Sequence, residues 1–116
     1  MNKYIDNVEA KKVIALKDLV SVKENSLNPF SLVERNSLII KILSLGKNVE
    51  VPTHSGTGET IVNAIEGEGY IIIENESFEV KSGESILIPA NATHSLKTKE
   101  GKDAFKVLVI QVRAES

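Results

Sequence analysis

Apolar positions in this 116-residue chain fall in short runs that stop at turn residues. Phe30 to Arg35 is the first clear run, closed by Asn36-Ser37. Leu38 to Leu45 (LIIKILSL) is mostly apolar and partly β-branched, which predicts a strand buried on at least one face. Gly46-Lys47-Asn48 ends it, and Val49 to Val51 reads as a short strand stopped by Pro52. Further strands are predicted at Thr60 to Ile65, Gly69 to Glu74, Ser77 to Val80, Ser85 to Ile88, His94 to Thr98 and Ala104 to Val112. Turn signals separate them at Glu66-Gly67-Glu68-Gly69, Ser82-Gly83-Glu84 and Pro89-Ala90-Asn91. Asn75-Glu76 reads as a hairpin turn, because Asn tolerates the positive φ that tight turns demand. Roughly eight or nine short strands in one small chain give an all-β sandwich or barrel.

The chain before this region is less regular. Residues 1 to 12 have no periodicity and read as frayed, or helical at most. Lys12 to Val22 carries Val13, Leu16, Leu19 and Val20, a spacing that suits a short helix or an irregular edge strand. Glu24 to Pro29 is a turn cluster. The expected organisation is a single domain, with residues 1–29 packing on a barrel formed by residues 30–116.

Composition narrows the function. Hydrophobic residues make up 41% of the chain, ordinary for a globular protein. The formal charge of −2 comes from 14 basic and 16 acidic residues, interspersed, with aromatics at only 4%. Nucleic acid is not an expected partner, since it needs clustered cations and stacking faces. With no cysteine, neither a disulfide nor a thiolate site exists. Apolar runs are far too short to span a membrane, and no apolar leader is evident, so a cytoplasmic location is expected.

Both histidines, His54 and His94, lie between Val51 and Lys97. Ser55 beside His54 should point to the opposite face of an extended strand, so the two do not make a nucleophile–base pair. Gly56-Thr57-Gly58-Glu59-Thr60 lacks the lysine and the following helix of a phosphate loop.

The order Gly83, Pro89, Asn91, His94 resembles the second motif of the cupin family, the double-stranded β-helix or jelly-roll barrel. Asn91 stands where that motif has Gly, which suits a left-handed backbone, and Thr98 stands where it closes with Asn. The first motif is half kept. His54 matches its first histidine, Gly56 falls on its second, Thr60 falls on its glutamate, and Gly46 lies two residues too far upstream for its leading glycine. The resemblance implies a small single-domain, all-β cupin barrel with a degenerate first motif, assembled as a homodimer around an interior small-molecule site. In such barrels the motif histidines and glutamate hold a divalent metal such as Fe, Mn, Ni or Zn. Here His54 and His94 survive at ligand positions, and Glu59 is the candidate third ligand if a bulge turns it inward. In a regular strand Glu59 faces away from Thr60. The expected pocket is His54, His94, Thr60, Glu59 and Gln111.

Three readings follow. The first is a metal-dependent enzyme, with His54, His94 and Glu59 as ligands. The second is a metal-free binding or sensing barrel, in which the imidazoles hydrogen-bond a polar small molecule. The third is a metal-free acid–base enzyme, which needs a partner such as Tyr70 across the pocket.

Overall fold

The computed structural model describes residues 4–114, so Met1 to Lys3 and the end of the expected C-terminal tail lie outside the described residues. Its strands are β1 (Leu27–Glu34), β2 (Leu38–Gly46), β3 (Glu59–Ile73), β4 (Glu76–Lys81), β5 (Ser85–Ile88), β6 (His94–Thr98) and β7 (Ala104–Val112). Every pairing is antiparallel, in the order β1-β2-β7-β3. The first half of β3 lies between β7 and β5, and the second half lies between β4 and β6. This one strand therefore belongs to both walls of an all-β barrel.

The near-continuous apolar character of β2 has a simple cause: both its faces are covered. Leu43 and Leu45 point into the core shared with Val62, Ile71, Phe105 and Val107. Ile42 points outward, into a second cluster with Val20, Leu32 and Val33, joined by Val8, Leu16 and Leu19 of the N-terminal segment. A strand covered on both sides cannot show alternation.

The two strands expected on either side of Glu66-Gly67-Glu68-Gly69 are one strand of 15 residues. The glycines serve its bending. Gly67 has φ 78°, and a Cβ there would run into the Ala104 carbonyl. A Cβ on Gly69 would occupy the place of the fully buried Phe105 ring. The register slips between Ala64 and Glu66, a bulge that lets β3 pass from one sheet to the other. Glycine here marks close backbone approach, a reading as consistent with its chemistry as a turn.

Other expectations shift by smaller amounts. The turn cluster ends earlier than predicted, and β1 runs through Pro29, which a sheet edge tolerates. Lys12 to Val22 is neither α-helix nor strand but contains a single 3-10 turn, Leu16–Asp18. Val49 to Val51 forms an isolated bridge, Glu50 to Lys97. The β3–β4 hairpin turns at Glu74 and Asn75, with φ 49° and 71°, one residue before the predicted pair.

Candidate functional site

The connection from β2 to β3 carries His54, and β6 begins at His94. Pro52 keeps this connection from being a regular strand, yet it lies along β6. Val51 N–H donates to Leu96 O (2.8 Å), and Thr98 N–H donates to Val49 O (3.0 Å). His54 and His94 exchange backbone hydrogen bonds of 3.0 and 2.8 Å, so they are directly opposed. Their rings lie edge to face, with centroids 4.2 Å apart and an interplanar angle of 60°. Two motif residues 40 positions apart in sequence thus become one edge-to-face pair of imidazoles.

Each imidazole is held in the same way. His54 Nδ1 lies 2.9 Å from the Pro52 carbonyl, and His94 Nδ1 lies 3.1 Å from the Ala92 carbonyl. A carbonyl only accepts, so Nδ1 carries the proton and Nε2 carries the lone pair of the neutral ring. Both rings therefore present Nε2. Burial pushes the His94 imidazole below its ordinary value; its bond to Ala92 opposes this, and the neighbouring His54 adds to it.

The pair borders a cavity of about 410 Å³ inside the barrel, within the size range of small-molecule pockets. Thr60 and Gln111 line it too, and they face each other across the β3–β7 ladder. Glu59 does not. It is exposed and no part of the lining, because strand alternation holds at the start of β3 and sends it outward from Thr60. Ser55 borders the cavity, contrary to expectation, since the irregular segment around it does not alternate.

Gly56, at the position of the family's second histidine, has its own role. A Cβ there would stand 2.9 Å from Gln111 Nε2. The absent side chain leaves room that the Gln111 carboxamide fills from the opposite strand. Thr98, in place of the motif's closing Asn, is buried, and its hydroxyl donates to the Gly46 carbonyl (2.8 Å). Asn91 takes φ 67°, the left-handed backbone for which Gly is otherwise used.

Two further residues of the lining were not anticipated: Lys41 and Arg113. Lys41 is the one charge inside LIIKILSL, and period-two counting places it on the inner face with Ile39 and Leu43. Arg113 follows Gln111 by two residues on the same face. Tyr70, the acid partner considered above, is no part of the lining; its hydroxyl lies 3.5 Å from Glu100 Oε2.

The donors of the cavity do not fit a resident divalent metal. They comprise two imidazoles, a carboxamide and hydroxyls, with no carboxylate in the lining. Among the described residues, no three His, Cys, Asp or Glu side chains form a group able to hold a metal ion. Tight sites for Zn or Fe use three or more strong protein ligands, and the lining already carries two cationic side chains.

An antiparallel barrel with a histidine pair at its interior cavity is the architecture of a cupin. The chain matches the Cupin domain family over residues 42–111 and belongs to that family. It is similar to the conserved SPY1581 protein of unknown function from Streptococcus pyogenes, with TM-score 0.92 and 33% identity, covering 99% of this chain and 98% of that one. A cupin superfamily protein (DSY2733) from Desulfitobacterium hafniense has the same fold, with TM-score 0.89 and 20% identity over 97% and 100% of the two chains. The uncharacterized protein MJ1618 of Methanocaldococcus jannaschii is 35% identical over 63 residues, which are 54% of this chain and 50% of that one. Among the described residues no helix is long and apolar enough to cross a membrane.

Proposed function

We propose that this cupin binds a small polar molecule directly, without a resident metal, between the imidazoles of His54 and His94 and the Thr60–Gln111 pair. The observation that carries the reading is the matched anchoring of both Nδ1 atoms on carbonyls, which leaves Nε2 of each ring for a ligand beside a cavity lined by no acidic side chain. Neutral Nε2 accepts a hydrogen bond, the Thr60 hydroxyl donates or accepts, and the Gln111 carboxamide does both. Such a set orients a polar ligand while the surrounding aliphatic wall excludes water from it.

The same anchoring also supports a second reading, because a fixed Nδ1–H is how metal-ligating histidines are oriented. In that reading the bound molecule itself supplies the missing donors to a divalent ion.

Thermal melting of chelator-treated protein against a library of small polar metabolites separates the two. The proposal expects at least one compound to raise Tm with chelator present, and the shift to vanish in His94→Gln and Gln111→Ala. A library that acts only after Fe, Mn, Ni or Zn is added would contradict it and favour the second reading.

A further inference from the structure

The charge of the cavity is opposite to that of the chain. The whole sequence carries a formal −2, yet the lining holds Lys41 and Arg113 and no Asp or Glu. Lys41 is only partly exposed, and among the described residues its ammonium makes neither an ion pair nor a hydrogen bond. Arg113 Nε donates to the Asn36 carbonyl, which fixes the guanidinium plane, and among the described residues no carboxylate pairs with it. Among the described residues the other lysines that are not fully exposed, Lys97, Lys99 and Lys106, each stand within ion-pair distance of a carboxylate, whereas the unpaired Lys11, Lys23, Lys47 and Lys81 are exposed to water. A lysine placed on the inner face of a strand loses hydration, and without a partner this is unfavourable.

Strand register says where these cations act. Lys41 lies opposite Val109, and Ile39 lies opposite Gln111. Along β7 and the residue that follows it, Val109, Gln111 and Arg113 all line the cavity, at roughly 7 Å per step. The Gln111 carboxamide thus sits between the step that Lys41 reaches and the step that carries Arg113. Long cationic side chains from both sides converge on the cavity that the imidazoles border. Its remaining wall, with Leu43, Val62, Ile88 and Leu96, is aliphatic.

Resting on the small-molecule site proposed above, we infer that its ligand is a small organic anion, a carboxylate or a phosphate monoester with a short apolar body. Lys41 and Arg113 take the anionic head, and His54, His94 and Gln111 orient the polar groups next to it. The planar guanidinium suits a two-point contact with carboxylate or phosphate oxygens, while Lys41 supplies a point charge that several anions can share.

The test is amide chemical-shift mapping of chelator-treated protein at low ionic strength. The probes are succinate, inorganic phosphate and glycerol phosphate, each at millimolar concentration, against succinamide and glycerol as uncharged counterparts. Wild type is compared with Lys41→Met, Arg113→Gln and, as an outer-surface control, Lys99→Met. The inference expects at least one anion to move the amides of Lys41, His94 and Gln111, with the uncharged compounds inert. Apparent affinity falls about ten- to hundredfold in Lys41→Met and Arg113→Gln, and is unchanged in Lys99→Met. Carboxylates acting without phosphates, or the reverse, names the head group. Uncharged compounds that move the His94 and Gln111 amides as strongly as the anions would overturn the anion assignment and leave the small-molecule site standing. Shifts confined to surface lysines, or equal in wild type and Lys41→Met, would also overturn it. No response in the cavity to any probe would count against both readings.

Discussion

Lys99 directly follows β6 and Lys41 lies within β2 of the same barrel, but only Lys99 is neutralised by the chain. Lys99 contacts Glu79 and lies 3.4 Å from Glu68, which Lys102 also approaches at 3.6 Å. The Lys99 ammonium beside Glu79 holds that carboxyl below the usual carboxylate range, and hydrogen bonding to Glu79 and Glu68 raises the Lys99 ammonium. Lys41 faces the cavity with no acid in its lining. The outer charges are mutually compensated and cost the fold little. The inner charges are held in place by strand register and become compensated when an anion enters. A cavity's chemistry is therefore set by which side of a strand each charge takes, and the net charge of the chain does not reveal it.

The largest expected effect tests the scaffold that the comparison presumes. Phe105 is fully buried on β7 and packs where Gly69 leaves room. Phe105→Ala should destabilise the fold by about 3–5 kcal/mol, read by denaturant unfolding. A loss under about 1 kcal/mol would mean that the barrel beneath the cavity is not close-packed.

Lys41→Met comes next and carries the contrast itself. Anion affinity should fall about ten- to hundredfold while Tm in plain buffer stays level or rises, because an unpaired cation has been replaced by an apolar side chain. A clear drop in Tm would show that Lys41 serves the fold.

Gly56→Ala tests the Gln111 carboxamide. The new methyl group stands 2.9 Å from Nε2, so the flexible amide must move aside. Ligand affinity should fall severalfold with little change in Tm; an unchanged affinity would remove Gln111 from the site. Lys99→Met should change neither ligand affinity nor, beyond the scatter of repeat melts, Tm, since exposed ion pairs contribute little.

The smallest effect concerns pH. Burial holds the folded His94 imidazole below its ordinary 6.5. The unfolded chain therefore binds the proton more tightly than the folded one. This contribution to stability is complete above pH 6.5 and is lost as pH falls through the folded value. His94→Gln should flatten that part of the stability–pH curve. An identical slope in wild type and variant would assign the acid sensitivity to other groups.

Much of this was legible in the sequence, for reasons specific to particular residues. The Gly83–Pro89–Asn91–His94 spacing placed His94 at the cavity because its turn needs those backbone shapes, and Asn91 adopts the left-handed one. Alternation along β3 puts Thr60 in the cavity lining and Glu59 outside it, so Glu59, expected in the pocket as a third ligand through a bulge, does not join His54 and His94. What stayed hidden depended on long-range register. Gly67 and Gly69 look like turn residues until Ala104 and Phe105 are seen crossing them. Gln111 reaches the space over Gly56 only because β7 pairs with β3. Lys41 was readable as the odd charge in an apolar run, but its meaning required knowing that both faces of β2 are covered.

The most direct test is the melting temperature of chelator-treated protein, at constant ionic strength, against increasing succinate or phosphate. The account predicts that Tm of the wild type rises with the logarithm of the concentration of at least one of these anions, and that the Lys41→Met curve stays flat over the same range. Equal slopes in the two proteins, or no rise with either anion, would contradict the claim that the unpaired cations of the cavity are there to receive one.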